Sequence, residues 1–227
     1  MDKVAEPQRQ LVESKERISN NDPLDMDRGH SRIRRKNFLK TYASKILQRR
    51  PPGELVNLGC GDDLLPGFTN VDLYHDSADE KWDFLRTPWP KENSSLSGIH
   101  AEAVLEHVPA ITRNGQDLLF LILQEMQRVL APGGWVWIGV PMAGKLEDYR
   151  SLCHYRHFVP ESFDFLNGQG GGDMLRQSGL SLKLEAKWTL RSGESYPIGY
   201  HTIKYFGVDF NIGRPWHLIF ILRKPAP

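Results

Sequence analysis

Two glycines and a nearby carboxylate have a spacing that could bind a nucleoside. Gly59 and Gly61 follow the short apolar run 55–58, and Asp72 ends a second short run a few residues later. A buried strand that enters a glycine turn lets a ligand approach the backbone closely. An acid at the end of the next strand can accept hydrogen bonds from a ribose diol. This spacing indicates a nucleoside cofactor.

The residues around the turn favour one kind of nucleoside cofactor. Asp62 and Asp63 would repel a pyrophosphate, and the chain between Gly61 and Asp72 is too short for an ordinary crossover helix. A cofactor with ribose and adenine but no phosphate fits better, and S-adenosylmethionine is the common one. A nicotinamide dinucleotide is the alternative, and the two acids count against it.

Histidines supply the candidate groups for proton transfer. His107 follows a predicted strand and titrates near neutrality, as a general base should. His154 and His157 follow a later strand, at the end of the sheet where ligands bind in open α/β folds. For each histidine the alternative is a purely structural role. The eight histidines show no spacing typical of metal ligands, so no metal site is assigned.

Strands alternating with helices position these residues. In addition to the two strands beside the glycine turn, strands are predicted at 82–85, 99–102, 135–140, 180–190 and 216–222. The clearest helix is predicted at 114–130, with an apolar stripe at helical spacing, and a further helical segment ends near Gly179. This alternation argues for a largely parallel sheet covered on both faces.

The composition is that of one ordinary domain. The chain has 227 residues, of which 40% are hydrophobic and 25% charged, with a net charge of +1. Residues 1–27 are polar and are predicted to form a mobile extension, which leaves 28–227 as a single domain. No apolar run approaches the ~20 residues that span a bilayer, no signal-peptide pattern opens the chain, and two cysteines give no disulfide framework. These features predict a cytoplasmic protein with no membrane partner.

One segment is strongly basic. Residues 28–50 contain nine Lys or Arg and no acid, and Leu39, Tyr42 and Ile46 recur at helical spacing. The predicted amphipathic helix could dock nucleic acid. The alternative, which the near-neutral chain favours, is a solvated helix face packed beside the cofactor site.

Four short motifs, in this order along the chain, carry a family resemblance. They are Asn57–Gly61, Asn70–Leu73, Ala103–His107 and Glu125–Gly134. With them the chain resembles the class I S-adenosylmethionine-dependent methyltransferases, and among these the small type 11-like group. The resemblance covers about residues 54–166. It implies a Rossmann-like α/β fold with a mostly parallel seven-stranded sheet and helices on both faces.

The resemblance also implies which residues contact S-adenosylmethionine. The implied set is Asn57, Gly59, Cys60, Gly61, Asp72, Leu73, Asp83, Phe84, Ala101 and Glu102. The glycine turn would pass under the methionine part, Asp72 would hold the ribose hydroxyls, and Asp83 with Phe84 would contact the adenine. Ala101 and Glu102 would face the sulfonium. Asn57 departs from the family, which usually has an acid there, and the family's first helix is shortened or absent.

The function implied is methyl transfer to oxygen or nitrogen of a small-molecule acceptor, such as a sugar or a secondary metabolite. One alternative is a methyltransferase that acts on a macromolecule docked by the basic helix 28–50. Another is a protein that binds the cofactor without catalysis, for which Asn57 and the missing first helix are the motivation.

Overall fold

The fold is known from a computed structural model. It describes residues 49–113, 115–149, 151–169, 172–191, 194–197, 202–205, 208–211 and 217–227. The extension predicted at 1–27 and nearly all of the basic helix predicted at 28–50 lie outside these residues.

Eleven strands and three α-helices are found in the part of the chain that the structure describes. The strands are β1 (Glu54–Leu58), β2 (Thr69–Val71), β3 (Leu96–Glu102), β4 (Thr112–Arg113), β5 (Gln116–Asp117), β6 (Leu130–Pro141), β7 (Lys183–Arg191), β8 (Glu194–Pro197), β9 (Thr202–Tyr205), β10 (Val208–Asn211) and β11 (His217–Arg223). The helices are α1 (Leu118–Val129), α2 (Leu146–Tyr149) and α3 (Gly172–Ser178), with short 3-10 helices at Leu105–His107 and Asp164–Asn167.

One mixed sheet forms the framework, with seven strands in the order β2-β1-β3-β6-β11-β7-β8. Strands β2, β1, β3 and β6 pair in parallel, whereas β11 runs antiparallel between β6 and β7, and β8 is antiparallel to β7. The predicted Rossmann-like α/β class is confirmed. Because four neighbouring strands share one direction, their carboxyl ends meet at one edge of the sheet, where such folds bind ligands.

The strand predicted at 82–85 is wrong. The chain there forms turns, and just before it an isolated parallel bridge joins Glu80 to Val71. The reason is local, because the Asp83 carboxylate accepts a hydrogen bond from the Leu85 N–H at 2.9 Å and so bends the chain. The seventh strand of the sheet is instead β8, at the opposite edge.

The two faces of the sheet carry different cores. The first face joins α1 and the aromatic residues near the second 3-10 helix in one buried cluster, which includes Val56, Ile99, Ile138 and Phe220. Alternate residues of the same strands form a smaller cluster on the second face, namely Leu55, Trp135, Trp137, Ile219 and Ile221. The prediction that helices pack on the sheet is thus confirmed for the first face.

Helix α1 begins later than the predicted 114–130. Gln116 and Asp117 pair with β4 in a short hairpin, and the Asp117 carboxylate caps the helix by accepting from the Leu119 N–H at 2.8 Å. A capping acid at this place therefore sets the first helical residue at Leu118. None of the described helices has the length and apolar character needed to cross a membrane.

Candidate functional site

A cavity of about 260 Å³ opens at the carboxyl ends of β1 and β2. Its lining consists of Leu58, Gly59, Val71, Asp72, Leu73, Tyr74, Trp82, Asp83, Phe84, Leu85 and His107. The volume is slightly below the roughly 300–1,000 Å³ of typical small-molecule sites. Six residues named from the sequence therefore meet in one place, which are Gly59, Asp72, Leu73, Asp83, Phe84 and His107.

The glycine turn is shaped by two different demands. Gly59 has a φ of 62°, and a Cβ added to it would lie 2.7 Å from Cγ2 of Val104. Gly61 has a φ of 46°, but a Cβ there would meet nothing within 4 Å. The Cys60 N–H between them donates to the Val71 carbonyl at 3.0 Å, which fastens the turn to β2. Gly59 is thus required by packing as well as by backbone conformation.

The Asp72 carboxylate is held by backbone donors. Oδ1 accepts from the N–H groups of Tyr74 and His75 at 2.8 and 3.0 Å, and Oδ2 accepts from Gly61 at 3.0 Å. Partial burial raises the pKa of Asp72, but the three N–H donors outweigh it and the net pKa lies below the usual value. An ionised carboxylate has about four lone-pair sites, so acceptor capacity remains for a ligand hydroxyl.

Flat and apolar side chains form another part of the cavity lining. Leu73, Trp82 and Phe84 line the cavity beside Asp83. The Asp83 carboxylate also caps its own turn and lies 3.3 Å from the guanidinium of Arg86. The wall therefore offers surface for a planar ring and a carboxylate at its rim.

Asn57 and His100 lie together on the second face of the sheet. Asn57 is buried, and its Nδ2 donates to the Asp63 carbonyl at 2.8 Å and to Oδ1 of Asn70 at 2.9 Å. Its Oδ1 accepts from Nδ1 of the buried His100 at 2.8 Å. The contact with Asp63 ties Asn57 to the chain just after the glycine turn, and the other two contacts join Asn57 to the neighbouring strands β2 and β3. The cavity lining does not include Asn57.

Four other residues of the implied cofactor set also lie outside the cavity lining, which are Cys60, Gly61, Ala101 and Glu102. Ala101 is buried in the core of the first face. Glu102 lies on the second face, where its carboxylate is 2.9 Å from Nε2 of His217 and accepts from the Trp137 indole at 3.3 Å. The cofactor roles of these residues stay predictions.

His107 is the predicted catalytic histidine that lines the cavity. Its Nδ1 donates to the Cys153 carbonyl at 3.0 Å, which leaves the lone pair of the neutral ring on Nε2. Burial lowers the pKa of His107 despite this hydrogen bond. The ring is therefore neutral near pH 7 and can accept a proton or bind a cation through Nε2.

His154 and His157 are held by α2, outside the cavity lining. Nδ1 of His154 donates to the Asp148 carbonyl at 2.9 Å, and its ring centroid lies 4.8 Å from that of His107. Nδ1 of His157 contacts the fully buried Asp148 carboxylate at 2.9 and 3.0 Å. The structure therefore places His154 next to the cavity residue His107, and pairs His157 with a buried acid.

Several lining residues were not singled out from the sequence as site residues. They are Leu58, Val71, Tyr74, Trp82 and Leu85. Leu58 and Val71 end the two strands that flank the glycine turn. Their positions directly before Gly59 and Asp72 could therefore have identified them as site residues. No local sequence pattern marked Asp148 as a site residue, because its role depends on two histidines that follow it in an irregular segment.

No protein-family model and no curated protein matches the chain. Among solved structures, a SAM-dependent methyltransferase from Archaeoglobus fulgidus is 16% identical with a TM-score of 0.52, over 83% of this chain and 92% of that chain. A SAM-dependent methyltransferase from Methanosarcina mazei is 13% identical with a TM-score of 0.48, over 80% of this chain and 97% of that one. The first of these likenesses shows that the chain has the fold of class I methyltransferases.

Proposed function

We propose that this protein is an S-adenosylmethionine-dependent methyltransferase that acts on oxygen or nitrogen of a small-molecule acceptor, such as a sugar or a secondary metabolite. The observation that carries the proposal is the Asp72 carboxylate at the end of β2, lining a cavity beside the glycine turn. When bound, S-adenosylmethionine supplies a methyl carbon on a sulfonium, whose transfer breaks the carbon–sulfur bond, leaves the electron pair on sulfur and releases the acceptor's proton.

The residues beside the glycine turn fit a nucleoside without phosphate. Asp72 retains acceptor capacity for ribose hydroxyls, and Trp82 with Phe84 offers surface for adenine. Asp62 and Asp63 follow the turn, where a pyrophosphate would need positive potential. We call this part of the cavity, around Gly59 and Asp72, the cofactor end.

We place the acceptor at the other part of the cavity, beside His107, and call His107 with the segment 151–157 the acceptor end. His107 offers an unprotonated Nε2 because burial lowers its pKa and the Cys153 carbonyl holds its Nδ1 proton. His154 lies against it, and His157 is oriented by Asp148 as general bases commonly are by a buried carboxylate. The chain's own contribution is then to align the acceptor and receive its proton.

We also assign the protein to the reducing cytoplasm. Cys60 is buried, Cys153 is exposed, and both are free thiols. An exposed free thiol suits a compartment in which thiols stay reduced.

Calorimetric titration with S-adenosylhomocysteine, with NADH as the control ligand, tests the cofactor assignment. We expect saturable binding of S-adenosylhomocysteine alone. Asp72→Ala should lower that affinity roughly 10- to 100-fold, since a hydrogen bond to a charged group contributes about 1.5–3 kcal/mol. The matched control is Asp76→Ala, because Asp76 is an exposed acid that pairs with Lys81 on the surface.

The stability of the Asp72→Ala variant must also be measured. Asp72→Ala also removes the acceptor of three backbone N–H groups, so the free energy of unfolding should fall by about 1–3 kcal/mol. Binding must therefore be measured well below the melting temperature of the variant. Binding of NADH, or an Asp72→Ala affinity equal to that of the wild type, would contradict the assignment.

A screen with radiolabelled methyl donor then tests the reaction and its acceptor. Hydroxyl and amine compounds are compared with RNA at low salt, because a docking surface at 28–50 would show salt-dependent binding. Cofactor binding without methyl transfer to any acceptor would favour the non-catalytic alternative.

A further inference from the structure

Three potential metal ligands meet at the acceptor end. One ligand atom from each of Glu106, His107 and His154 lies within 4.8 Å of the other two. Glu106 and His107 are adjacent in the first 3-10 helix, whereas His154 comes from a distant part of the chain. His107 also lines the cavity, so the cluster adjoins the space assigned to the acceptor.

Backbone hydrogen bonds hold the two contributing segments together. The N–H groups of Tyr155 and Arg156 donate to the Glu106 carbonyl at 2.8 and 3.1 Å. The Arg156 guanidinium donates to the carbonyls of Val108 and Pro109 at 3.1 and 2.8 Å. The position of His154 beside His107 is therefore supported by contacts additional to those that the two imidazoles make.

Both imidazoles have Nδ1 hydrogen-bonded to the backbone, as metal-binding histidines commonly have one ring nitrogen. Nδ1 of His107 and of His154 each donates to a backbone carbonyl, at 3.0 and 2.9 Å, and a carbonyl can only accept. Each neutral ring therefore carries its lone pair on Nε2, and such carbonyl contacts commonly fix the tautomer of metal-binding histidines. The Glu106 side chain is buried beside them, where a carboxylate is stabilised by a nearby positive charge.

We propose that Glu106, His107 and His154 bind one divalent first-row transition-metal ion. Two imidazoles and a carboxylate are a ligand set used for Zn²⁺ and non-haem Fe²⁺, and imidazole favours such ions over Mg²⁺ or Ca²⁺. Ligand atoms about 2.0–2.2 Å from an ion lie roughly 3–4 Å apart, so side-chain shifts of about 1 Å close the site.

The substrate class follows if the proposed methyl transfer is correct. Three protein ligands leave coordination positions that a hydroxyl can fill, and a divalent ion lowers the pKa of a bound hydroxyl. The site therefore favours an oxygen acceptor, with a second donor atom close enough to chelate the same ion. An ion on Nε2 of His107 would prevent that nitrogen from accepting a proton, which leaves His157 to receive the acceptor's proton. This step rests on the proposed function, whereas the metal site itself does not.

The test uses the full chain, treated with a chelator and then freed of it. Zn²⁺ is titrated calorimetrically, Co²⁺ is followed by its visible absorption, and Mg²⁺ is the comparison ion. We expect one Zn²⁺ per chain, with affinity lowered at least 10- to 100-fold in Glu106→Gln and in the more exposed His154→Gln. His75→Gln is the matched control, because His75 pairs with Asp62 outside the cluster.

Melting curves with and without Zn²⁺ accompany each titration, since Glu106→Gln changes a buried residue. Saturable Zn²⁺ binding that His154→Gln weakens and His75→Gln does not would support the site. No Zn²⁺ binding, or binding equal in His154→Gln and the wild type, would overturn it. Titration with S-adenosylhomocysteine on the same samples separates the proposals: if it binds and Zn²⁺ does not, only the metal site fails, and the reverse result removes only the proposed function.

Discussion

The cofactor end and the acceptor end of the cavity are built from contacts of different range. At the cofactor end, Asp72 accepts hydrogen bonds from Gly61, Tyr74 and His75, all close to it in sequence. At the acceptor end, His107 bonds the Cys153 carbonyl across a long stretch of chain. The first kind of site leaves a contiguous motif, whereas the second exists only once the chain has folded. The two ends should therefore respond separately to substitution.

The largest effect is expected at Gly59. In Gly59→Ala the new methyl group would lie 2.7 Å from Cγ2 of Val104, at a φ of 62°. Overpacking and left-handed backbone together should lower the free energy of unfolding by about 2–4 kcal/mol. Urea denaturation measures this, and S-adenosylhomocysteine affinity should fall as well.

Gly61→Ala is the matched control for Gly59→Ala. Gly61 also has a left-handed φ but open space around its Cα, so only the conformational cost of about 1–2 kcal/mol should appear. Combining Gly59→Ala with Val104→Ala should recover part of the loss. Equal destabilisation by the two single alanines would show that Val104 does not constrain the turn.

A second prediction concerns the acceptor end alone. Arg156→Lys loses the planar fork that contacts two carbonyls and the Asp117 carboxylate at 2.9 Å. Because Asp117 also caps α1, the free energy of unfolding should fall by about 1–3 kcal/mol. Zn²⁺ affinity should decrease with it, while S-adenosylhomocysteine affinity should not change.

The control for Arg156→Lys is Arg176→Lys. Arg176 is exposed and pairs with the exposed Asp173, so its replacement should change stability by less than about 0.5 kcal/mol. A loss of S-adenosylhomocysteine affinity in folded Arg156→Lys would mean that the two ends are not independent.

The smallest expected effect is a pH dependence of the free energy of unfolding, which arises from the buried His100. Burial lowers the pKa of His100, although Glu102 and Asp63 oppose it. As pH falls below about 6.5, the unfolded chain takes up a proton at His100 that the folded protein does not. The free energy of unfolding should then fall by up to about 1.4 kcal/mol per pH unit, and this contribution vanishes above that range.

Urea denaturation at several pH values checks this in the wild type and in His100→Gln. The glutamine can still donate to Oδ1 of Asn57 but does not titrate, so the slope below pH 6.5 should flatten. An identical slope in His100→Gln would show that His100 is not the group responsible.

The sequence predicted the sheet, and the meeting of Gly59 with Asp72, far better than the contacts around His107. Strands β1, β2, β3, β6, β7 and β11 follow from local apolar runs and from the glycines and prolines that end them. The cavity position of Asp72 follows because strand ends of parallel pairs meet.

The predictions from the sequence that were wrong or incomplete have local or long-range physical causes. Asp83 turns the chain where apolar neighbours suggested a strand. A charged residue of an amphipathic helix usually lies at the surface, yet Glu125 of α1 is buried. Its carboxylate accepts from the Trp89 N–H at 2.6 Å and pairs with Arg128. The contact of His154 with His107 depends on backbone bonds between distant segments, which no local pattern records.

Val104 is a buried residue that adjoins both ends of the cavity. Its side chain abuts Gly59, and it directly precedes the 3-10 helix that carries His107, next to Ala103 with its left-handed φ of 56°. Because Val104 is buried in the core of the first face, it holds the glycine turn in one shape before any ligand binds. Binding at the cofactor end then needs little rearrangement near His107, so cofactor and acceptor can be added in either order.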